Sequence, residues 1–424
     1  MSLKISYSGR ESLSPKFFES SFAKEKFEVF KKTIKDENIG FFRVSESSHL
    51  IQDCYKTYDK FKNKKTFVHV GIGGSSLGPE MLISALQKND HQFIFINNID
   101  PQEINDQLNK LDIEQTLFYF CSKSGGTAET MAGLAIISQL LKQKNIAENQ
   151  FKNYFVFATD PLKSQLLEIG KELQIECLTI PSNIGGRFTV LTPIGFFPAL
   201  FAGLEIEKLN EGANKIKIDI LNEDLDSNIL IQTASFLYAL KQEKSISQTI
   251  FMPYSSKLRD LSHWYVQLWA ESLGKKQKLD GSIVNTGFTP IPAYGATDQH
   301  SQLQLFMEGP FDKTMILIEI DKFGHDFSLK NNFTQPTLQK ISRYSLSQLF
   351  KAELNGTLKA LEENNRPYIH MKISELNELS MGSMILFFEC LTALMGSYLE
   401  INPFDQPGVE LGKVYALKWL ETEY

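Results

Sequence analysis

Short apolar runs alternate with longer amphipathic stretches from Thr66 onward. The runs are TFVHVGI, FIFINNI, TLFYFC, YFVFAT and ECLTI. Strands that alternate with amphipathic helices form βαβ units, and such units build parallel sheets that are covered by helices on both faces. The pattern therefore predicts an α/β fold with a doubly wound, mainly parallel sheet.

The same alternation begins again after a charged passage at residues 205–219, so we predict two such domains in tandem. The first covers residues 51–210, and the second covers residues 211–424 and ends in a C-terminal helix. Before them, aromatic residues at approximately helical spacing predict an N-terminal helical arm over residues 1–50. The remaining predicted elements are a buried helix within 188–204, helices over 227–241, from Lys257, over 375–399 and over 409–421, and the strands QTIFMPY, TMILIEI and PYIHMKI.

Composition agrees with two globular domains, because 424 residues exceed the usual size of one hydrophobic core. The net charge of −6 and the absence of a basic stripe argue against a nucleic-acid-binding surface. The N-terminus lacks a signal peptide, and no uninterrupted apolar run approaches the roughly 20 residues that span a bilayer. We therefore expect a cytoplasmic protein that does not bind membranes.

Neither a disulfide framework nor a metal site is indicated. The four cysteines are far apart and form no CxxC motif, so we expect reduced thiols that lie mostly in the core. The histidines show no HxH or HExxH spacing, and no cysteine stands at ligand spacing from them. We expect no bound metal.

A glycine-rich loop, GIGGSSLGP at residues 71–79, follows the first predicted strand and precedes a helix. Glycines at such a turn let backbone N–H groups approach an anion, and the helix N-terminus adds a favourable partial charge. The same glycines could simply form a tight turn. A dinucleotide-binding loop is a third possibility, although its fingerprint would place glycine where Ser76 stands.

A second loop, CSKSGGTAET at residues 121–130, follows the third predicted strand. Ser122, Ser124 and Thr127 supply hydroxyl groups beside the amides of Gly125 and Gly126, and a phosphate dianion needs several donors at once. Serine and threonine are also favoured as helix caps, so capping alone is the competing interpretation.

Six motifs, in chain order, resemble those of the glucose-6-phosphate isomerase family, which is built from two SIS (sugar isomerase) domains. The motifs run from about residue 71 to residue 413 and are GIGGSSLGP, SKSGGTAET, NIGGRFTVLTPIG, QLWAESLGK, DQHSQLQLF and QPGVELGK. The chain departs from the family pattern at Ser124-Gly125-Gly126, where many members have Thr-Phe-Thr. It departs again at Leu273, which replaces a frequent asparagine. These departures concern substrate preference rather than the reaction.

The resemblance implies reversible isomerisation of D-glucose 6-phosphate and D-fructose 6-phosphate, in glycolysis and gluconeogenesis, without a cofactor. The reaction opens the sugar ring and passes through a cis-enediol or enediolate, so one carboxylate can remove and return the proton. By this resemblance the phosphate and sugar are bound by Gly74, Ser75, Ser122, Lys123, Ser124 and Thr127.

Glu271 matches the family's general base, and Gln267 matches a glutamine that contacts substrate. With His263 they are spaced four residues apart, so all three share one face of a helix, which on spacing alone could be a solvated face. Arg187 follows two glycines, and the resemblance implies that it stabilises the enediolate oxygen. An inter-domain salt bridge is the alternative role for this arginine.

His300 and Lys413 match the two residues that assist ring opening, and Gln406 matches a contact on the phosphate side. Asp298 is a possible orienting partner of His300. In the family this histidine reaches the site from the neighbouring subunit, so the resemblance implies a homodimer with shared active sites.

Two other functions stay open at this stage. A dinucleotide-dependent oxidoreductase would use GIGGSSLG but would leave SKSGGTAET and QPGVELGK unexplained. A non-catalytic, sugar-phosphate-sensing SIS protein would not need Glu271, Arg187, His300 and Lys413 together.

Overall fold

The computed structural model describes residues 3–18 and 20–423 of the chain. Its strands are β1 (Lys4–Ser8), β2 (Thr66–Val70), β3 (Gln92–Ile96), β4 (Thr116–Cys121), β5 (Phe155–Thr159), β6 (Glu176–Thr179), β7 (Gln248–Pro253), β8 (Lys275–Gln277), β9 (Ile283–Thr286), β10 (Thr289–Pro292), β11 (Lys313–Lys322) and β12 (Tyr368–Glu375). Its helices are α1 (Ser20–Lys35), α2 (Ser48–Phe61), α3 (Leu77–Leu86), α4 (Pro101–Leu108), α5 (Ala128–Gln143), α6 (Gln165–Leu173), α7 (Pro193–Phe201), α8 (Ile206–Ile220), α9 (Ile229–Lys244), α10 (Arg259–Leu273), α11 (Leu303–Glu308), α12 (Pro336–Ile341), α13 (Leu346–Glu363), α14 (Glu378–Leu399) and α15 (Glu410–Glu423).

The first sheet has the order β3-β2-β4-β5-β6, and all of its strand pairs are parallel. The chain leaves β2 toward β3 and then crosses back to place β4 on the other side of β2. The carboxyl ends of β2 and β4 therefore flank a topological switch point, where α/β proteins bind ligands. The two loops singled out in the sequence follow these two strands.

The second sheet has the order β1-β12-β11-β7-β10, in which only the pairing of β1 with β12 is antiparallel among the described strands. The predicted fold class, two doubly wound and mainly parallel units flanked by helices, is confirmed. The predicted helical arm over residues 1–50 also contains a strand, because residues 4–8 pair with β12. The β8–β9 hairpin and β10 were not predicted from the sequence.

The predicted domain boundary between residues 210 and 211 falls inside α8. This helix packs along α14 of the second unit, and one continuous apolar core includes residues of both units. The domain division stays a prediction, and its boundary lies within one continuous helix.

Helix α14, which lies within the predicted helix over 375–399, is the described helix that is long and apolar enough to resemble a membrane span. Its 22 residues have a mean hydropathy of 1.6 in the most apolar window, so length and composition alone would allow it to cross a membrane. However, 89% of that window is buried inside the protein. Its surroundings therefore make α14 a core helix.

Candidate active site

A buried arginine faces a carboxylate where the two units meet. Arg187 lies in a one-turn 3-10 helix, Gly186–Phe188, after the first sheet, and Glu271 lies in the last turn of α10. Arg187 Nη1 lies 3.4 Å from Glu271 Oε1, and Gln267 Nε2 donates to Glu271 Oε2 at 3.0 Å. Helical spacing brings Gln267 and Glu271 to one face, as predicted, whereas His263 is exposed.

The remaining donors of the Arg187 guanidinium are also used. Nε donates to Ser272 Oγ at 2.6 Å, Nη1 to Gln406 Oε1 at 3.1 Å, and Nη2 to the carbonyl oxygens of Pro403 at 2.5 Å and Asp405 at 3.1 Å. Burial lowers the pKa of Arg187, and the charges of Glu271 and Asp405 oppose that shift. A guanidinium keeps its charge even so, and the site therefore holds a permanent buried cation.

The glycine-rich loop packs directly against this arginine. A Cβ on Gly74 would lie 2.3 Å from the Gly186 carbonyl oxygen and 2.8 Å from the Arg187 nitrogen, so only glycine allows the two turns to approach this closely. The carbonyl of Ser75 contacts the buried His69 of β2, whose Nε2 lies 2.6 Å away. Burial lowers the pKa of His69 to about 4, so the ring is neutral and donates through Nε2.

The three hydroxyls of the second loop bond to one another at the N-terminus of α5. Ser122 Oγ lies 2.8 Å from Thr127 Oγ1 and 3.5 Å from Ser124 Oγ, and the Ser124 and Thr127 oxygens are 3.4 Å apart. Thr127 is the N-cap residue of α5, yet its side chain makes no capping hydrogen bond. The hydroxyls therefore form a cluster of donors, and capping alone does not account for them.

Two neighbours determine the shape of this hydroxyl cluster. Lys123 Nζ donates to the Ser182 carbonyl at 2.7 Å, and burial lowers the pKa of Lys123 while Asp160 opposes the shift. Gly125 has a φ of +64°, and a Cβ there would lie 1.8 Å from Ser164 Oγ. Glycine is thus needed at residue 125 both for its left-handed backbone and for the contact with the following loop.

Lys275 was not singled out in the sequence, although it is buried beside the same groups. Its Nζ donates to the carbonyl oxygens of Glu271 at 2.8 Å and Asp405 at 2.7 Å. Burial lowers the pKa of Lys275, and the charge of Arg187 lowers it further. Its position four residues after Glu271 was the available signal, because that spacing lets a lysine reach a helix C-terminal carbonyl.

His300 and Lys413 are exposed in the described chain. His300 ends the 3-10 turn Thr297–His300, and Lys413 pairs with Glu410 at 2.9 Å on the exposed helix α15. The Asp298 carboxylate, a possible partner of His300, accepts from the Tyr294 amide at 2.8 Å and the Ser301 hydroxyl at 2.6 Å. The contacts of the chain bring Arg187, Gln267, Glu271 and Gln406 together without these two residues.

Comparison with known proteins gives a consistent set of relatives. The family model described as phosphoglucose isomerase matches residues 46–423. The chain is 36% identical to a glucose-6-phosphate isomerase of Carboxydothermus hydrogenoformans over 93% of this chain and 89% of that protein. Among solved structures, a hypothetical protein from Thermus thermophilus aligns with a TM-score of 0.91 and 31% identity, covering 98% of this chain and all of that one. A glucose-6-phosphate isomerase from Chlamydia trachomatis aligns with a TM-score of 0.77 and 25% identity, covering 89% of this chain and 74% of that one.

Proposed function

The chain belongs to the phosphoglucose isomerase family, and from that premise we propose which residues perform each step of its reaction. The enzyme interconverts D-glucose 6-phosphate and D-fructose 6-phosphate, the isomerisation that serves glycolysis and gluconeogenesis. The observation that carries the proposal is the contact of the buried Arg187 with Glu271 beside the glycine-rich loop that follows β2.

The substrate's phosphate is bound by the hydroxyls of Ser122, Ser124 and Thr127 at the N-terminus of α5. A 16-residue helix directs its positive end toward that position, and Lys123 adds a charge nearby. The backbone of Gly74 and Ser75 contacts the sugar, since this turn packs against the turn that carries Arg187. Gln406, which accepts a hydrogen bond from Arg187 Nη1, contacts the substrate on the phosphate side.

Glu271 transfers the proton. Its carboxylate removes the proton from C2 of the open-chain aldose, the electron pair forms the C1–C2 double bond, and the C1 carbonyl oxygen becomes an enediolate oxygen. Arg187 stabilises that negative oxygen, and the hydroxyl proton of the C2 oxygen then moves to the C1 oxygen, which becomes a hydroxyl. Glu271 returns the carbon-bound proton to C1 while the C2 oxygen forms the ketone carbonyl. Gln267 holds one carboxylate oxygen of Glu271 in place.

His300 and Lys413 open the ring, and the proposal requires a homodimer to place them. Helix α15 supports a dimer because it exposes a large set of apolar side chains that a partner surface would cover. These side chains are Leu411, Val414, Tyr415, Leu417, Trp419 and Leu420. In the homodimer, His300 of one subunit completes the active site of the other.

We propose that the enzyme works in the cytoplasm, where its phosphorylated substrates are used. All four cysteines are free thiols, which agrees with a reducing compartment. Neither the oxidoreductase nor the sugar-phosphate sensor is favoured, because a sensor needs no general base and an oxidoreductase would not need the hydroxyl cluster.

A coupled assay with purified protein tests the function. Fructose 6-phosphate is supplied, and the glucose 6-phosphate that forms is oxidised by an added NADP-dependent dehydrogenase, with and without a chelator. We expect NADPH formation that depends on this protein and is unaffected by the chelator. Protein that binds NAD tightly but produces no glucose 6-phosphate would refute the assignment.

A further inference from the structure

Lys275 is a buried cation to which the proposed mechanism gives no role. Its side chain is only 6% exposed, although burying an ammonium group costs several kcal/mol unless its hydrogen bonds and charge are compensated. Lys275 begins β8 directly after α10, so its backbone position is fixed by the helix that carries Glu271.

The contacts of Lys275 join two parts of the chain that are far apart in sequence. Nζ donates to the Glu271 carbonyl at the end of α10 and to the Asp405 carbonyl, and lies 3.4 Å from the Asp405 carboxylate. The second contact spans 130 residues. Lys275 therefore ties the end of the catalytic helix to the segment that precedes α15.

Arg187 binds the same segment. Its Nη2 donates to the carbonyls of Pro403 and Asp405, so the Asp405 carbonyl accepts from two buried cations. The positive charges of Arg187 and Lys275 repel each other. The shared carbonyl oxygen and the neighbouring carboxylates of Glu271 and Asp405 offset that repulsion. The segment 403–406 is thus held by charge between the Arg187 turn and α10.

We propose that Lys275 is a positioning residue of the isomerase, which fixes the segment 403–406 to the end of α10 and so sets where Gln406, α15 and Lys413 stand relative to Glu271. This inference rests on the proposed function, since it gives those residues their roles. Its physical basis is that a ring-opening residue works only when held in register with the general base. Gln406 follows Asp405 directly, and Lys413 is seven residues further along.

Lys313 provides a matched control. Its side chain is 4% exposed, its Nζ donates to the Pro310 carbonyl at 2.9 Å, and it pairs with the Asp312 carboxylate. Lys313 thus has the same kind of contacts as Lys275, a carbonyl and an aspartate, but it lies at the start of β11 in the second sheet. Replacing either lysine with methionine removes one buried ammonium group.

The experiment compares K275M, K275Q, K275R and K313M in the isomerase assay and by hydrogen–deuterium exchange of the full chain. We expect K275M and K275Q to lower kcat/KM by about 10²-fold, the cost of misplacing a catalytic group by about 1 Å. K275R keeps the charge and should recover most of the activity. K313M should reduce thermal stability and leave kcat/KM within about twofold of wild type.

The exchange measurement separates a positioning role from a general loss of stability. Amides of residues 403–423 should exchange faster in K275M than in K313M, whereas the amides of β2 and β4 should be unchanged. If K275M and K313M have equal kcat/KM, or if residues 403–423 exchange equally in both, the inference is overturned. If K275M does not fold, kcat/KM and the exchange of residues 403–423 in K275Q and K275R are compared with those of K313M in the same way. Wild-type protein without isomerase activity would refute the proposed function instead, while the exchange data would still test the attachment of the segment.

Discussion

Arg187 Nη1 and Glu271 Oε1 lie 3.4 Å apart, and Gln267 holds the other carboxylate oxygen of Glu271. The arginine side chain is 2% exposed, and the Glu271 side chain is 25% exposed. Because Glu271 is accessible while the Arg187 guanidinium is buried, the carboxylate can accept a proton from the substrate beside a fixed positive charge.

Glu271→Gln should abolish exchange of the C2 proton with solvent deuterium while sugar-phosphate binding persists. The amide keeps the size of the side chain but cannot accept the proton, and a general base contributes about 10²–10⁴-fold to the rate. NMR of the substrate in deuterium oxide measures the exchange. Glu319→Gln, which removes a carboxylate paired with Lys372 at 3.1 Å in the second sheet, is the control. Substantial exchange in the Glu271 variant would mean that another group is the base.

Arg187→Lys should lower kcat by about 10²-fold or more, the loss typical of removing an oxyanion-stabilising donor. An ammonium group cannot reproduce the planar arrangement that bonds Ser272, Gln406 and the backbone at once. Steady-state kinetics and thermal unfolding measure the two effects. Arg43→Lys is the matched control, since Arg43 also binds two carbonyls, those of Ile34 at 2.7 Å and Asp36 at 2.8 Å. Similar kcat values for both variants would contradict a catalytic role.

Gly125→Ala should raise KM for the sugar phosphate about tenfold or more, whereas Gly126→Ala should have little effect. A left-handed backbone costs alanine about 1–2 kcal/mol. A Cβ on Gly125 would also displace Ser164, since it would lie 1.8 Å from Oγ. A Cβ on Gly126 would meet only the Gln165 side chain, at an ordinary 3.5 Å. Equal KM values in the two variants would show that the loop does not bind the phosphate.

Mixing the inactive variants Glu271→Gln and His300→Ala should restore activity if the active sites are shared between subunits. In a mixed dimer, one site combines an intact Glu271 with an intact His300 from the partner. Random exchange of subunits would restore about a quarter of the wild-type sites. Each variant alone, taken through the same unfolding and refolding, is the control. A mixture that stays inactive would indicate that His300 acts within its own subunit, or that no dimer forms.

Glu389→Gln should stabilise the protein increasingly as pH rises from about 5 to 8. Glu389 is fully buried in α14, and neither carboxylate oxygen has a hydrogen-bond partner among the described residues, so burial raises its pKa well above the ordinary 4.5. The folded wild type then binds one proton more than the unfolded chain. The free energy of unfolding of the wild type therefore falls by up to about 1.4 kcal/mol for each pH unit above the pKa of Glu389 in the unfolded chain. The Glu389→Gln variant does not lose stability in this way, because glutamine does not titrate.

Thermal unfolding of wild type and Glu389→Gln across this pH range measures the difference in stability. Glu400→Gln is the control with the opposite sign, because ion pairs with Lys278 and Lys26 lower the pKa of Glu400. Glu400→Gln should be less stable than wild type at neutral pH, and this difference in the free energy of unfolding should shrink as the pH falls. Parallel Tm curves for Glu389→Gln and wild type would show that Glu389 is not held protonated.

Elements whose signal is local could be predicted from the sequence. The strands TFVHV and TLFYFC and the helix that carries Gln267 and Glu271 were identified from spacing alone, because periodicity is a property of consecutive residues. β1 was missed because its five residues carry little pattern, and their partner β12 is more than 350 residues away.

The sequence alone determined the α/β alternation, the two loops at the carboxyl ends of strands, and the shared face of Gln267 and Glu271. Motif order added the family resemblance. Only the tertiary structure decided that Arg187 contacts Glu271 and binds the Pro403 carbonyl 216 residues away. It also decided that Lys275 is buried between the carbonyls of Glu271 and Asp405, and that Lys413 is exposed. The physical reason is that periodicity and turn chemistry depend on neighbouring residues, whereas the burial and pairing of a charge depend on which distant segments pack around it.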